Sequence, residues 1–235
     1  MRSDLSSSEN QLNWMAVRQA ERRDLLIAIF NALFQAFGPQ QWWPAESPFE
    51  VIVGAILTQN TAWKNVEKAI TAMRDQGLLD LGPLLQVPEA ELASLIRASG
   101  YFNQKARKLK HFCEYVQTHW NGDLHGFLEQ DMENLRSQLL GLRGIGPETA
   151  DSIVLYAAEK PSFVVDTYTY RIFSHHGWVP EELSYEELRS FFMDSLAPDV
   201  GLFKEYHALL VRCGHLYCRR RFRCTECPLE GGLAK

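Results

Sequence analysis

The chain has 235 residues, of which 46% are hydrophobic, 23% charged and 11% aromatic. This composition excludes a disordered or fibrous chain, and the length admits one large domain or two small ones. A formal net charge of -5 argues on average against a nucleic-acid binder, but binding depends on where charge sits rather than on its mean.

The first residues, MRSDLSSSENQLN, are polar and lack an apolar h-region, so no secretory signal is expected. No run of about 18 apolar residues occurs, so no membrane span is expected. These readings predict a cytoplasmic protein. In chain order, Leu25, Leu26, Ile29, Leu33 and Phe37 form a helical stripe that stops at Gly38-Pro39. Gln41-Trp42-Trp43-Pro44 reads as an aromatic loop. Residues 49–57 (FEVIVGAIL) are apolar almost all round and predict a buried helix. Residues 63–73 are amphipathic, and 89–98 follow Pro88 with Leu92, Leu95 and Ile96 as their apolar positions. Residues 103–120 place Leu109, Phe112, Val116 and Trp120 on one side. Only 163–165 (FVV) reads as extended. Ser184-Tyr185-Glu186-Glu187 is a capping box that opens a helix running to Leu196. Phe203, Tyr206, Leu209, Leu210, Cys213 and Leu216 mark a last long helix. The predicted class is all-α, with about ten helices and short connections.

Residues 139–151 read LLGLRGIGPETAD. An apolar helix end meets Gly144-Ile145-Gly146, and Pro147 suits the first position of a second helix. Two glycines permit a tight turn that another molecule can approach closely. Its amides and the dipole of the next helix suit an anion such as a DNA phosphate. Ile145 would anchor the turn in the core. Further on, Val164-Val165-Asp166-Thr167 places an acid just before a helix, which taken alone is an ordinary N-cap.

LRGIGPETADSIVLYA followed by VVDTYTYR resembles the helix-hairpin-helix DNA glycosylases of the endonuclease III superfamily. FEVIVGAILTQNT is similar to an early helix and loop of that family. The resemblance runs from about Trp42 to Cys227. It implies two helical domains with a DNA cleft and base pocket between them. Residues 42–160 would form a central helical barrel with the hairpin at 139–151, and 1–41 with 161–235 the second domain. It places Asp166 on the family's catalytic aspartate. Cleaving an N-glycosidic bond builds positive charge on the sugar, which an ionised carboxylate stabilises while it orients water. Bifunctional members carry a Schiff-base lysine in the second hairpin helix. The matching residue here is Glu148, and neither Lys64 nor Lys105 matches a nucleophile position, so a glycosylase without lyase activity is expected.

QWWP, LTQNTAW, GYFNQKARKL and the hairpin glutamate together look most like the bacterial 3-methyladenine DNA glycosylase branch. The resemblance puts Trp42, Trp43, Pro44, Trp63 and Glu148 at the base pocket, and Trp120 and Trp178 read instead as core fillers. It puts Gln59, Asn60, Arg143, Gly144, Ile145, Gly146 and Thr149 at the DNA. Gln59 would enter the gap left by the flipped base. The alternatives are a relative with another base specificity, oxidised or mismatched, and a hairpin DNA-binding protein without catalysis. The expected partner is double-stranded DNA with a damaged base, bound by a monomer associated with the nucleoid.

Five basic residues and no acid lie between 97 and 111, and residues 201–235 hold seven basic and three acidic residues, a net +4. The run at 97–111 and the loop Arg219-Arg220-Arg221-Phe222-Arg223 read as phosphate contacts beside the hairpin. Cys218, Cys224 and Cys227 resemble the family's iron–sulfur loop, but its fourth cysteine is missing, with Leu233 near that place. A [4Fe–4S] cluster takes four thiolates. Cys213 and His215 are candidates for the fourth ligand, although Cys213 also lies on the apolar stripe of its helix, like a core cysteine. A cluster with an unusual ligand, a cluster-free loop and a zinc site all stay open.

Overall fold

A computed structural model of the protein describes residues 19–219 and 221–230. Arg220 and Leu233 lie outside the described residues. The architecture is all-α. In chain order the helices are α1 (Gln19–Phe37), α2 (Pro48–Leu57), α3 (Trp63–Asp75), α4 (Leu81–Gln86), α5 (Glu89–Leu95) and α6 (Phe102–Trp120). They continue with α7 (Leu124–Glu129), α8 (Met132–Gly141), α9 (Pro147–Ser152), α10 (Thr167–His175), α11 (Tyr185–Met193) and α12 (Val200–Tyr217). Among the described residues none of these helices is long and apolar enough to cross a membrane.

The chain divides into two compact units, Trp43–Ser162 and a unit combining Met1–Trp42 with Phe163–Lys235. In the first, α2 starts at the Ser47 cap, with Pro48 in its first turn, and buries every residue from Phe49 onward. That row includes Glu50, only 3% exposed, whose carboxylate accepts from Arg74 Nη2 at 2.6 Å. An acid inside an apolar helix is tolerated because it is paired there.

Three buried cations hold this unit, and two come from the basic run at 97–111. Lys105 is 2% exposed and donates from Nζ to Leu57 O at 2.8 Å and Ser99 O at 2.7 Å. Burial, helped by the charge of Lys108, lowers it to about 8. Lys110 donates to Leu84 O at 2.8 Å, Leu85 O at 3.0 Å and also to Val87 O, at the end of α4. Helix ends leave carbonyls without intrahelical partners, and these ammonium groups take them up. Two of the five bases expected to meet phosphate, Lys105 and Lys110, are thus turned inward. Arg107 pairs with Glu89 at 3.3 Å, and Arg97 lies over the Phe102 ring at 5.7 Å.

The third cation is Arg136 on α8. It grips Asp151 with two bonds, Nε to Oδ1 at 2.8 Å and Nη2 to Oδ2 at 3.0 Å, and Asp151 is fully buried. Ser162 Oγ also donates to Oδ1. The pair joins the helix before the hairpin to the helix after it.

In the other unit, α10 packs on α12 and α12 on α1. Phe163 stacks on Phe192 with centroids 3.9 Å apart and meets Tyr206 edge-on at 5.7 Å. The buried Tyr206 hydroxyl donates to Leu26 O at 2.8 Å. These contacts fix 163–165, which are buried but join no sheet, and so fix where Asp166 emerges. The Ser184 capping box forms as read, although its helix ends at Met193.

Removing one partner of a buried pair strands the other charge. Arg136→Met should therefore cost about 3–5 kcal/mol of stability. Urea unfolding of the variant checks this, and a loss under about 1 kcal/mol would contradict the clamp.

Candidate active site

Between α8 and α9 the hairpin turns at Gly144, with φ +92, where a side chain would be strained. Ile145 is 5% exposed, and its N–H returns to Leu142 O at 3.1 Å. Gly146 caps α9 and Pro147 takes its first turn. Arg143 and Glu148 are exposed, whereas Thr149 is buried. Gln59, on the loop after α2, joins this turn. Its Nε2 donates to Gly144 O at 3.1 Å and to Thr149 Oγ1 at 2.9 Å. Lys108 Nζ donates to its Oε1. Asn60 is exposed beside it in the left-handed region, φ +54.

The tandem tryptophan is divided between the two units. Trp42 ends one, and Trp43 begins the other. Trp43 has φ +73, a costly conformation for a bulky residue, and so it is held there by its surroundings. Its ring lies 5.5 Å from that of Trp63, edge to face, and 4.9 Å from that of Tyr156, tilted by 36°. A Cβ on Gly54 would lie 3.3 Å from Trp43 Cζ2 and Nε1, so the glycine gives the indole a close seat on α2. Pro44 is exposed. Tyr156 was not among the residues expected here. It reaches Trp43 from a π-helical turn, Ile153–Ala157, that continues α9. Such turns recur at functional sites, but no sequence period announces one.

Asp166 is the N-cap of α10. Its Oδ1 accepts from Thr169 N at 2.7 Å and from Thr169 Oγ1 at 2.8 Å. Among the described residues Oδ2 accepts no hydrogen bond. One oxygen is thus anchored and the other is available. The buried His207 of α12 lies within reach of this charge. Burial holds its imidazole below the usual histidine range, and the carboxylate opposes that shift. The residues around Asp166 pack the fold. Tyr168 lies where a Cβ on Gly214 would collide with its Cβ, Cγ and Cδ1. The Tyr170 hydroxyl donates to Glu181 O at 3.2 Å, and Arg171 Nη1 to Cys218 O at 2.7 Å.

Cys213, Cys218 and Cys227 are buried together, with Cys213 and Cys227 sulfurs 3.8 Å apart. Hydrogen bonding to Cys218 and Cys227 pushes the Cys213 thiol up. The same contact, with help from His176 and against burial, brings Cys227 down to about 5. Cys224 lies on a 3-10 turn, where its sulfur meets His175 Nε2 at 3.3 Å. His215 is exposed and bonds Arg219. Four thiols match a cluster in type and number, but a knot of three with the fourth facing a histidine is not its ligand shell. Among the described residues no group of three or more His, Cys, Asp or Glu side chains is arranged to hold a metal ion. Arg219 and Arg221 are exposed on this loop, and Arg223 pairs with Glu226 at 2.8 Å.

The profile of the HhH-GPD superfamily, base excision DNA repair proteins, matches residues 53–198. The chain belongs to this superfamily. It is therefore a helix-hairpin-helix DNA glycosylase of base excision repair. A superfamily relative from Methanocaldococcus jannaschii, named provisionally as a DNA repair glycosylase, is 43% identical over 208 residues, covering 88% of this chain and 94% of its own. The endonuclease III of Sulfolobus acidocaldarius is 27% identical over 77% of this chain and 79% of its own. Among solved structures, H. pylori 3-methyladenine DNA glycosylase bound to 1,N6-ethenoadenine superposes with a TM-score of 0.71 at 26% identity, covering 85% of this chain and 98% of that one. A trapped endonuclease III–DNA covalent intermediate gives 0.76 at 22% identity over 88% and 93%, which shows the superfamily fold.

Unfolded, His207 takes a proton near its ordinary value of 6.5, whereas the folded chain takes it only at lower pH. Between those values the unfolded state binds more protons, so its contribution to stability is complete above pH about 6.5 and is lost as pH falls below it. His207→Gln should flatten the melting temperature against pH below that point. A curve parallel to wild type would contradict this.

Proposed function

We propose that this protein is a monofunctional glycosylase that hydrolyses the N-glycosidic bond of alkylated purines, of the 3-methyladenine type, and leaves an abasic site. The observation that carries the reading is the aromatic group of Trp43, Trp63 and Tyr156. Alkylation at a ring nitrogen makes a purine cationic, and a cation is drawn to aromatic faces. The same charge makes the base a good leaving group, so little acid catalysis is needed. Normal purines lack the charge and are disfavoured. The likeness to the H. pylori 3-methyladenine glycosylase supports this choice of base.

Asp166 supplies the carboxylate. Its capped oxygen keeps the group in place, and its other oxygen faces the cationic sugar and the attacking water. Glu148 occupies the hairpin position of a Schiff-base lysine, and a carboxylate forms no imine. Hydrolysis of this kind needs no metal, so the cysteine segment serves the fold or DNA binding. Double-stranded DNA with a damaged base is the partner, and the likeness to glycosylase–DNA complexes supports it.

A panel of methylated, oxidised and deaminated duplexes tests the reading. Release of 3-methyladenine or 7-methylguanine is expected. Asp166→Asn should lower it by about 10²–10⁴-fold, with the fold retained because asparagine caps helices as well as aspartate. Release of oxidised pyrimidines alone would overturn the base assignment. Efficient covalent trapping on DNA with borohydride would overturn the monofunctional one.

A further inference from the structure

The stem of Lys108, on α6, lies across the hairpin. A Cβ on Gly144 would come within 2.6–2.9 Å of its Cε, Cγ and Cδ, so the glycine there admits the chain's own lysine. The ammonium donates to Gln59 Oε1, and Gln59 Nε2 donates to Gly144 O and Thr149 Oγ1. An ammonium only donates and a carbonyl only accepts, so these partners leave the Gln59 amide one orientation. The side chain read as the wedge for a flipped-out base is thus parked on the hairpin by a cation.

Lys108 is half-buried, and among the described residues Gln59 is the acceptor its ammonium holds. A neutral amide oxygen is a weak match for a full charge that has lost part of its water. Burial accordingly pulls this amine below the usual lysine range. A phosphodiester oxygen is a stronger partner, since both groups are then ionised.

We propose that Lys108 is a positioning residue that exchanges partners. It holds Gln59 on the hairpin in the free enzyme and passes to a phosphate of the damaged strand when Gln59 swings into the duplex. The proposal rests on the reading of Gln59 as the wedge. It couples extrusion of a base to the grip on the backbone. Undamaged DNA leaves Gln59 parked and does not engage Lys108.

The test compares a duplex carrying a tetrahydrofuran abasic analogue with the same duplex undamaged, by fluorescence anisotropy from about 50 to 200 mM salt. Each cation–phosphate contact adds about 0.9 to the slope of log affinity against log salt. Lys108→Met should lower the slope on the abasic duplex by about 0.9 and leave the undamaged slope unchanged. Over that salt range the change amounts to about 3.5-fold in Kd. Lys108→Arg should restore it. Gln59→Ala frees the cation without a lesion, so the undamaged slope should rise by about 0.9. Slopes unchanged by Lys108→Met, or lowered equally on both duplexes, overturn the exchange. If thermal melting shows that Lys108→Met does not fold, the Gln59→Ala slope decides. Excision by Gln59→Ala at the wild-type rate, on the base that the excision panel identifies, overturns the wedge reading and the exchange with it. Impaired excision with unchanged slopes overturns the exchange alone.

Discussion

The buried pair of Arg136 and Asp151 is the constraint on which the hairpin depends. Both charges are out of water, and the two-pronged geometry is what makes that tolerable. A pair of this kind adds little stability over a well-packed apolar substitute, but it permits one arrangement. α8 and α9 meet at a fixed spacing, so the turn at Gly144 presents one shape. The Lys105 and Lys110 contacts act alike on the ends of other helices. In this unit the cations specify where helices stop, and the apolar faces supply the burial.

Asp166 would carry two duties on one side chain if it acts as proposed. As a cap it accepts two hydrogen bonds through Oδ1, which orients the carboxylate without consuming Oδ2. The aromatic core behind it, through Phe163, Phe192 and Tyr206, removes slack from the segment that delivers it. A reaction that develops positive charge on a sugar gains most from an anion already in place, because no reorganisation is then needed.

Most helices were legible, because burial imposes a period on the sequence. The stripe of α1, the all-round apolar α2 and the Ser184 box each carried a local signal. The short helices α4 and α7 did not, since six residues hold too little of a period. In the basic run at 97–111, the burial of Lys105 and Lys110 escaped the sequence for a physical reason. Charge counts do not reveal depth, and a lysine stem long enough to reach a helix end can bury its head there. Gly144 was readable as a place of close approach, but not that the stem of Lys108 lies against it. Tyr156 and His207 carried no signal because their partners, Trp43 and Asp166, are distant in sequence. The capping role of Asp166 was legible from its place before a helix, whereas its proposed catalytic role came only through the resemblance.

The π-helical turn at Ile153–Ala157 has a consequence for comparing sequences. Such a turn holds one more residue than an α turn, and each residue advances a helix by about 100°. Its mark is the bond from Ala158 N to Ile153 O at 3.0 Å. A relative with a plain α-helix at this point would align with a one-residue gap between the hairpin and Asp166. Across that gap, a tyrosine matched by position would face another direction. Motif spacing from Gly146 to Asp166 is therefore a record of local helix winding as well as of ancestry.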